Sequence, residues 1–222
     1  MTAVTFDAGQ TLVELDTQLL ARRLGERGVE VRADVLDAAA PRAWDRYDAA
    51  VGRAAVPWKV FMDALLEGAR ISPRDELVEW LWEEQPKRNL WRRPIAGMIE
   101  VVDAMRARGV RVGVLSNSEG KLAALFDEIG WGGRFDTIVD SGVEGIEKPD
   151  RRIFERAAAR LGVACDALIH VGDSRPADVD GVLAVGGRAI WFGRVAEDRG
   201  EARVRIARDA AGVRDALRDF RG

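Results

Sequence analysis

The strongest constraint on the fold is an alternation of short apolar runs with amphipathic helical patterns. Five runs predict strands: AVTF (3–6), VRVGVLS (110–116), DTIV (136–139), ALIHVG (167–172) and RAIWF (188–192). Among the helical patterns, Met98, Val102 and Met105 share one face, and Gly109 follows as a stop signal. Strands that alternate with helices indicate an α/β fold, in which helices cover both faces of a parallel sheet.

Residues 14–94 interrupt this alternation. They contain no convincing strand but several helical stretches, so they predict an all-α insert after the first strand. The resulting domain boundaries are an α/β core of residues 1–13 and 95–222 and a helical domain of residues 14–94. Five of the seven tryptophans fall in this insert, which favours an aromatic bundle core. An apolar pocket or a dimer face remains the alternative interpretation; the five are Trp44, Trp58, Trp80, Trp82 and Trp91.

Composition and charge exclude several function classes. The net charge of −3 does not favour a broad nucleic-acid surface. No apolar run approaches the roughly 18 residues of a membrane span, and the N-terminus does not resemble a signal peptide. The single cysteine, Cys165, cannot form an internal disulfide. We therefore expect a cytoplasmic protein without a membrane or nucleic-acid partner.

Histidine and cysteine are too scarce for a zinc site. The chain has one of each, so a Cys/His zinc centre cannot be assembled within it. The histidine, His170, lies inside an apolar strand pattern and is interpreted as a satisfied core or strand-end residue rather than a catalytic base. The chemistry of this chain must therefore use carboxylates, lysine, hydroxyls and the backbone.

Polar residues follow the predicted strands at the points where the strands end. If the sheet is parallel, these ends converge at one edge. Carboxylates with a backbone carbonyl suit Mg²⁺, and a hydroxyl with an ammonium suits phosphate oxygens. A carboxylate can also attack phosphorus and form an aspartyl-phosphate. The sequence thus predicts a site for phosphoryl transfer, with candidate residues Asp7, Ser116, Asn117, Lys148, Asp173 and Asp178.

Four segments in order, FDAGQTL, LSNS, EKPD and VGDSRPADVDGVLAVGG, resemble the motifs of the haloacid dehalogenase superfamily. The spacing is similar to that of its phosphatase-like members with a helical cap between the first and second motifs. The resemblance covers nearly the whole chain, and the fourth motif is its most specific part. It implies a Rossmann-like core with an α-helical cap, a Mg²⁺ cofactor and a small phosphorylated metabolite as substrate.

The resemblance also implies roles for the residues that bind substrate. Asp7 matches the nucleophile, and Ser116 and Lys148 match the residues that bind the transferred group. Asn117 and Gly9 are expected beside them in the substrate-binding set.

The implied metal site contains Asp7, the backbone carbonyl of Gly9, Asp173 and Asp178. The first motif departs from the phosphatase pattern, which is Asp-x-Asp-Gly-Thr, because Gly9 stands where the second Asp belongs. That Asp protonates the leaving oxygen and then activates water, and Gln10 cannot titrate in its place. General acid-base help is worth about 10²- to 10⁴-fold in rate. The sequence therefore predicts a slow phosphatase.

The missing acid leaves alternative functions open. Dehalogenases of the superfamily also lack it, but carbon–halogen cleavage needs no magnesium, and retention of Asp173 and Asp178 favours a metal. A phosphonatase-like enzyme would need a cap lysine for a Schiff base, for which Lys59 is the candidate. A non-catalytic binder of phosphorylated ligands is a third alternative. A phospho-accepting receiver domain is disfavoured by the helical insert and by Ser116.

Overall fold

The computed structural model describes residues 2–193 and 200–220. The chain divides into two compact units: Met1–Glu14 with Arg93–Gly222, and Leu15–Arg92. These limits lie within one or two residues of the 1–13, 14–94 and 95–222 boundaries expected from the sequence. The interpretation of the second unit as a cap stays a prediction.

The described residues contain eight strands in two sheets. In chain order they are β1 (Ala3–Phe6), β2 (Val13–Leu15), β3 (Trp91–Pro94), β4 (Arg111–Ser116), β5 (Thr137–Asp140), β6 (Leu168–Gly172), β7 (Arg188–Phe192) and β8 (Val204–Ala207). The main sheet has the order β5-β4-β1-β6-β7-β8, and every pair in it is parallel. The α/β fold predicted from the strand–helix alternation is confirmed.

Ten α-helices accompany the strands in the described part of the chain. The second unit contains α1 (Thr17–Gly25), α2 (Ala33–Ala50), α3 (Pro57–Gly68) and α4 (Arg74–Glu84). The first unit contains α5 (Met98–Ala107), α6 (Leu122–Glu128), α7 (Ser141–Glu144), α8 (Arg151–Arg160), α9 (Asp180–Ala184) and α10 (Ala210–Asp219). No described helix combines the length and apolar character needed to cross a membrane.

Local sequence signals explain where several helices begin. The side chains of Asp16, Asp150 and Asp209 accept hydrogen bonds from backbone N–H groups in the first turns of α1, α8 and α10. Such caps satisfy N–H groups that have no partner inside the helix. Pro57 occupies the start of α3, where a missing N–H costs nothing.

The order of the main sheet determines where the site lies. From β1 the chain continues to β4 and β5 on one side and then crosses to β6, β7 and β8 on the other. In open α/β sheets, ligands bind at the carboxyl ends of the strands where the order reverses in this way. All residues of β1 and β6 are buried, so the two strands that flank the reversal form the middle of the core.

Three strands differ from the sequence-based expectation. Val204–Ala207 adds an edge strand that was not predicted, because four residues with partial burial give a weak periodic signal. Val13–Leu15 and Trp91–Pro94 pair with each other, although residues 14–94 were expected to contain no strand. Both are short and lie at the ends of the insert, where a three- or four-residue run is hard to distinguish from a loop.

The second unit has a core of aliphatic and aromatic side chains. Trp44 and Phe61 are buried, with ring centroids 4.0 Å apart, and Trp91 packs against both. Trp58 and Trp80 are partly buried against the same cluster. These tryptophans thus contribute to the packing of the helical bundle.

Candidate active site

Three candidate residues lie at the carboxyl ends of adjacent strands. Asp7 directly follows β1, and its N–H donates to the Val171 carbonyl at 2.8 Å, which extends the ladder between β1 and β6. Ser116 is the last residue of β4, and Asp173 follows β6. The side chains of all three residues are buried. The sheet therefore brings one polar residue from each of three neighbouring strands to a common edge.

Lys148 connects the polar groups at this edge of the sheet. It is buried, and its Nζ donates to Asp7 Oδ1 at 2.6 Å, to Asp178 Oδ1 at 2.5 Å and to the Leu115 carbonyl at 2.9 Å. An ammonium has three N–H groups, so these contacts use all of them. Leu115 precedes Ser116, which places the lysine head beside the end of β4.

Asn117 holds the backbone of Lys148. Its Oδ1 accepts from the Lys148 N–H at 2.8 Å, and its Nδ2 donates to the Lys148 carbonyl at 3.0 Å. Because both ends of the amide are engaged, the side chain of Asn117 clamps the lysine to the end of β4. Its expected role in binding substrate stays a prediction, and the observed geometry is that of a positioning residue.

Asp178 is surrounded by hydrogen-bond donors. Its Oδ1 accepts from Lys148 and lies 3.0 Å from His170 Nε2, and its Oδ2 accepts from the Ser174 N–H at 2.9 Å. Gly172 makes this approach possible, since a Cβ there would lie 2.2 Å from Asp178 Cγ. A glycine is therefore required at the end of β6.

A π-helical turn, Arg175–Val179, returns Asp178 towards β6. Ser174 caps the turn by accepting from the Ala177 N–H, and Pro176 fits in its first positions. Single π-helical turns are rare overall, but those that occur are often found at functional sites. The wider hydrogen-bonded ring alters the direction of the side chains that follow.

Burial and charge shift the pKa values of this cluster in different directions. Burial raises the pKa of Asp7, and Lys148 opposes the effect only in part. Burial alone would raise the pKa of Asp178, but Lys148 and the hydrogen bond from His170 hold it below its ordinary value. The two carboxylates likewise outweigh burial at Lys148 and raise its pKa. Burial lowers the pKa of His170, so the imidazole is neutral at pH 7.

The carboxylates at this edge suit a divalent cation. Ligand oxygens of Asp7, Asp173 and Asp178 lie within 4.8 Å of one another, and all three residues are buried. Counted with Lys148, these side chains carry a formal charge of −2, which one Mg²⁺ would neutralise. A cation would also reverse the rise in the pKa of Asp7. Asp178 Oδ2 retains one lone pair for a ligand, so the expected role of Asp178 at the metal stays a prediction.

The loop after Asp7 leaves the Gly9 carbonyl outside the local pairing. The bridge between this loop and Val13 uses the Ala8 carbonyl and the Gln10 N–H, at 2.9 and 2.6 Å. Gln10 has a φ of 56°, a left-handed conformation that is uncommon for a residue other than glycine. The two bonds of this bridge do not use the Gly9 carbonyl, and its expected role as a metal ligand stays a prediction. Neither position supplies an acid or base.

A cavity of about 220 Å³ opens beside Asp173 in the first unit. Its lining combines polar, charged and apolar side chains: Gln10, Glu14, Ile95, Phe192, Gly193 and Arg208. Of the candidate carboxylates, Asp173 therefore borders a space that fits a small molecule.

Lys59 belongs to the second unit. Its Nζ lies 2.5 Å from Glu79 Oε2 and 5.9 Å from the ring centroid of Trp82. The Lys59 amine that a Schiff base would use is thus paired with Glu79, and the phosphonatase-like alternative stays a prediction.

Sequence reasoning did not connect His170 and Thr5 to the site. His170 is buried and satisfied, as its place in an apolar strand suggested, but one of its partners is Asp178. The other partner is the hydroxyl of Thr5, at 2.9 Å. The signal that could have found this pair is the register of β1 and β6, in which Thr5 lies opposite His170.

Comparisons with known proteins agree with this arrangement. The family profile described as haloacid dehalogenase-like hydrolase matches residues 1–186. A phosphoserine phosphatase from Thermus thermophilus is 30% identical over 201 residues, which cover 79% of each chain.

Two solved structures share the fold at lower identity. A putative HAD-hydrolase from Bacillus subtilis, bound to magnesium, has a TM-score of 0.73 and 16% identity over 97% of this chain and 98% of its own. An L-2-haloacid dehalogenase has a TM-score of 0.67 and 21% sequence identity, and the match covers 100% of this chain and 99% of the dehalogenase chain.

Proposed function

The chain belongs to the haloacid dehalogenase-like hydrolase family, and on this premise we propose that it is a slow, Mg²⁺-dependent phosphatase of small phosphorylated metabolites. The proposed nucleophile is Asp7, and the proposed intermediate is an aspartyl-phosphate.

The observation that carries this proposal is the contact set of Lys148. One buried ammonium binds Asp7 and Asp178 and lies beside the end of β4, where Ser116 is located. A nucleophile needs a fixed orientation and nearby positive charge when an anionic substrate approaches. The excess negative charge of the carboxylate cluster supports a divalent cation at the same site.

In the first step an Asp7 oxygen attacks phosphorus, a bond forms between them, and the bond from phosphorus to the leaving oxygen breaks. Ser116 donates a hydrogen bond to a phosphoryl oxygen, and Lys148 exchanges one of its three present contacts for another, so that both stabilise the developing charge. Mg²⁺, held by Asp7, Asp173 and the Gly9 carbonyl with help from Asp178, would offset the charge repulsion between nucleophile and phosphate.

In the second step water attacks phosphorus, the bond from phosphorus to Asp7 breaks, phosphate leaves, and the proton of the water passes to solvent. Both steps lack the acid-base group that the phosphatase motif places at position 9, because Gly9 cannot titrate. The departing oxygen therefore leaves without a proton from position 9, and water attacks without a base from that position. The second step is slow for every substrate, since the attacking water is always the same, whereas the first step is fast for good leaving groups.

Several observations support a small phosphate ester as the substrate. The cavity beside Asp173 is of a size that suits a small molecule, and its lining includes the polar or charged side chains of Gln10, Glu14 and Arg208. Relatives of the chain are named for small phosphate esters: one is a phosphoserine phosphatase and another a glyceraldehyde 3-phosphate phosphatase.

A screen tests the proposal directly. The protein is assayed with aryl, acyl and alkyl phosphates and with a 2-haloacid, each with Mg²⁺ and with a chelator. We expect phosphate release from aryl and acyl phosphates that stops when Mg²⁺ is removed.

The same screen separates the alternatives that Gly9 leaves open. Halide release that persists with chelator would identify a metal-independent dehalogenase instead. Saturable phosphate binding without release from any ester would identify a binding protein.

A further inference from the structure

His170 lies between Thr5 and Asp178 in a buried row of hydrogen bonds. Its Nδ1 lies 2.9 Å from the Thr5 hydroxyl, and its Nε2 lies 3.0 Å from Asp178 Oδ1. The next contacts in the row are those of Lys148, from Asp178 to Asp7. All five side chains are buried, so water does not compete for these bonds.

The hydrogen-bond partners fix the tautomer of the imidazole. Both oxygens of Asp178 accept hydrogen bonds, from Lys148 and from the Ser174 N–H, so the Nε2 that faces Oδ1 is the donor of that pair and carries a proton. Nδ1 then accepts the hydroxyl proton of Thr5. The ring of Phe154 packs edge-to-face against the imidazole, with ring centroids 5.5 Å apart, and restrains the plane of the imidazole.

We infer that His170 is a positioning residue that holds the Asp178 carboxylate, and through it Lys148, in the orientation that presents the ammonium to Asp7. The kinetic consequence of this inference rests on the proposed function. The hydrogen-bond geometry does not depend on it.

The contacts of Asp178 explain why the histidine matters. Oδ1 is shared between His170 and Lys148, whereas Oδ2 is held by one backbone N–H. Without the Nε2 proton, only the Ser174 N–H and Lys148 itself would orient the carboxylate. Rotation of Asp178 would then carry Nζ away from Asp7, because a single buried ammonium bridges the two carboxylates.

The first test uses the fact that the chain has one histidine. With ¹⁵N-histidine labelling, the NMR spectrum reports His170 alone. We expect a single neutral tautomer with the proton on Nε2, and Thr5→Val should shift the Nδ1 resonance while the Nε2 proton remains. A proton on Nδ1, or a ring that exchanges between tautomers, would overturn the inference. This test needs no enzymatic activity.

The second test compares two substitutions of similar size. His170→Leu fills the space without a donor, whereas His170→Gln keeps an N–H near the position of Nε2. Loss of a hydrogen bond to a charged acceptor predicts that Leu lowers the rate of Asp7 phosphorylation by an aryl phosphate roughly 10- to 100-fold. His170→Gln should recover most of this loss. Thr5→Val should change the rate in the native chain but not in the His170→Leu variant, where the imidazole is absent.

Equal rates for the folded Leu and Gln variants would overturn the inference, because the donor would then have no effect beyond filling space. Circular dichroism checks that both variants fold. If neither variant folds, the NMR spectra of the native chain and of Thr5→Val decide the question. If the native chain turns over no phosphate ester, the proposed function fails, and the NMR arm still tests the position of His170.

Discussion

The two units of this chain use buried polar side chains in contrasting ways. In the first unit, Asp7, Lys148, His170 and Asp178 form one connected hydrogen-bond network at the strand ends. In the second unit, a buried arginine, Arg23, donates to the Arg88 carbonyl, but its Nε and Nη2 find no hydrogen-bond partner among the described residues.

The surroundings of Arg23 are those of a packing residue. Its guanidinium lies 5.1 Å from the ring centroid of Trp80, and burial lowers its pKa. Burial of a connected polar network carries a large desolvation cost, which is typical of a site that performs chemistry. An arginine stacked on an aromatic ring mainly covers apolar surface. The difference assigns the chemistry to the first unit and indicates that most of the second unit's core serves packing.

The largest expected effect is that of Asp7→Asn. The amide keeps the shape of the side chain but removes the nucleophile, so turnover of an aryl phosphate should fall by at least about 10³-fold. Asp180→Asn is the control, since Asp180 lies in the fourth motif two residues after Asp178, has an exposed side chain and pairs with Arg175. The control should retain native activity. Retention of a tenth or more of the activity by Asp7→Asn would remove Asp7 as the nucleophile.

The matching test in the second unit is Phe61→Ala. Phe61 is fully buried between Trp44 and Trp91, so its truncation should lower the free energy of unfolding by about 3–5 kcal/mol. Val35→Ala, at a side chain that is 40% exposed, should change it by less than about 0.5 kcal/mol. Denaturant unfolding measures both. The ¹⁵N spectrum of His170 should stay native in the folded Phe61→Ala variant, and a changed spectrum would contradict the contrast between the units.

Gly9→Asp should strengthen the chemistry of the first unit. The new carboxylate supplies the missing acid and base, so steady-state turnover of an alkyl phosphate should rise by about 10²-fold, the lower end of the usual range. Gly9→Asn has the same size and cannot titrate, so it should give no gain. Rapid turnover of alkyl phosphates by the native chain would show that another group already supplies the proton.

The smallest effect concerns the cap of α8. Arg152 lowers the pKa of Asp150 to about 2. A lowered pKa stabilises the fold above the unfolded value near 3.8, and this contribution is lost as the pH falls towards 2. Asp150→Asn keeps the cap but removes the charge, so it should lower the denaturant midpoint slightly at pH 7 and by less as the pH falls towards 2. A difference that grows towards low pH would contradict this sign.

The sequence predicted the main sheet well because its strands have strong local signals. AVTF and RAIWF coincide with β1 and β7, since both are apolar runs whose residues are almost all buried. The edge strand β8 escaped prediction because a short, partly buried edge strand gives a weaker apolar signal. The motif residues Asp7, Ser116 and Asp173 were expected at strand ends and lie there, while their catalytic roles stay predictions.

The contacts between motifs could not be predicted, because they depend on strand order and register. The bond from Asn117 to Lys148 spans 31 residues, and that from Thr5 to His170 spans 165. No local pattern records that β1 lies beside β6, so the contact between Thr5 and His170 could not be predicted. In the second unit, the burial of individual aromatic side chains could not be predicted either, because it depends on how the helices pack.

The most direct test of the central claim is a rapid-mixing experiment with an aryl phosphate and Mg²⁺, combined with intact-protein mass. If Asp7 is phosphorylated quickly and dephosphorylated slowly, aryl alcohol appears in a burst of one equivalent per chain. The protein mass then rises by one phosphoryl group, and Asp7→Asn abolishes both signals. Turnover without a burst and without a mass increase would contradict the claim that Gly9 leaves hydrolysis of the aspartyl-phosphate as the slow step.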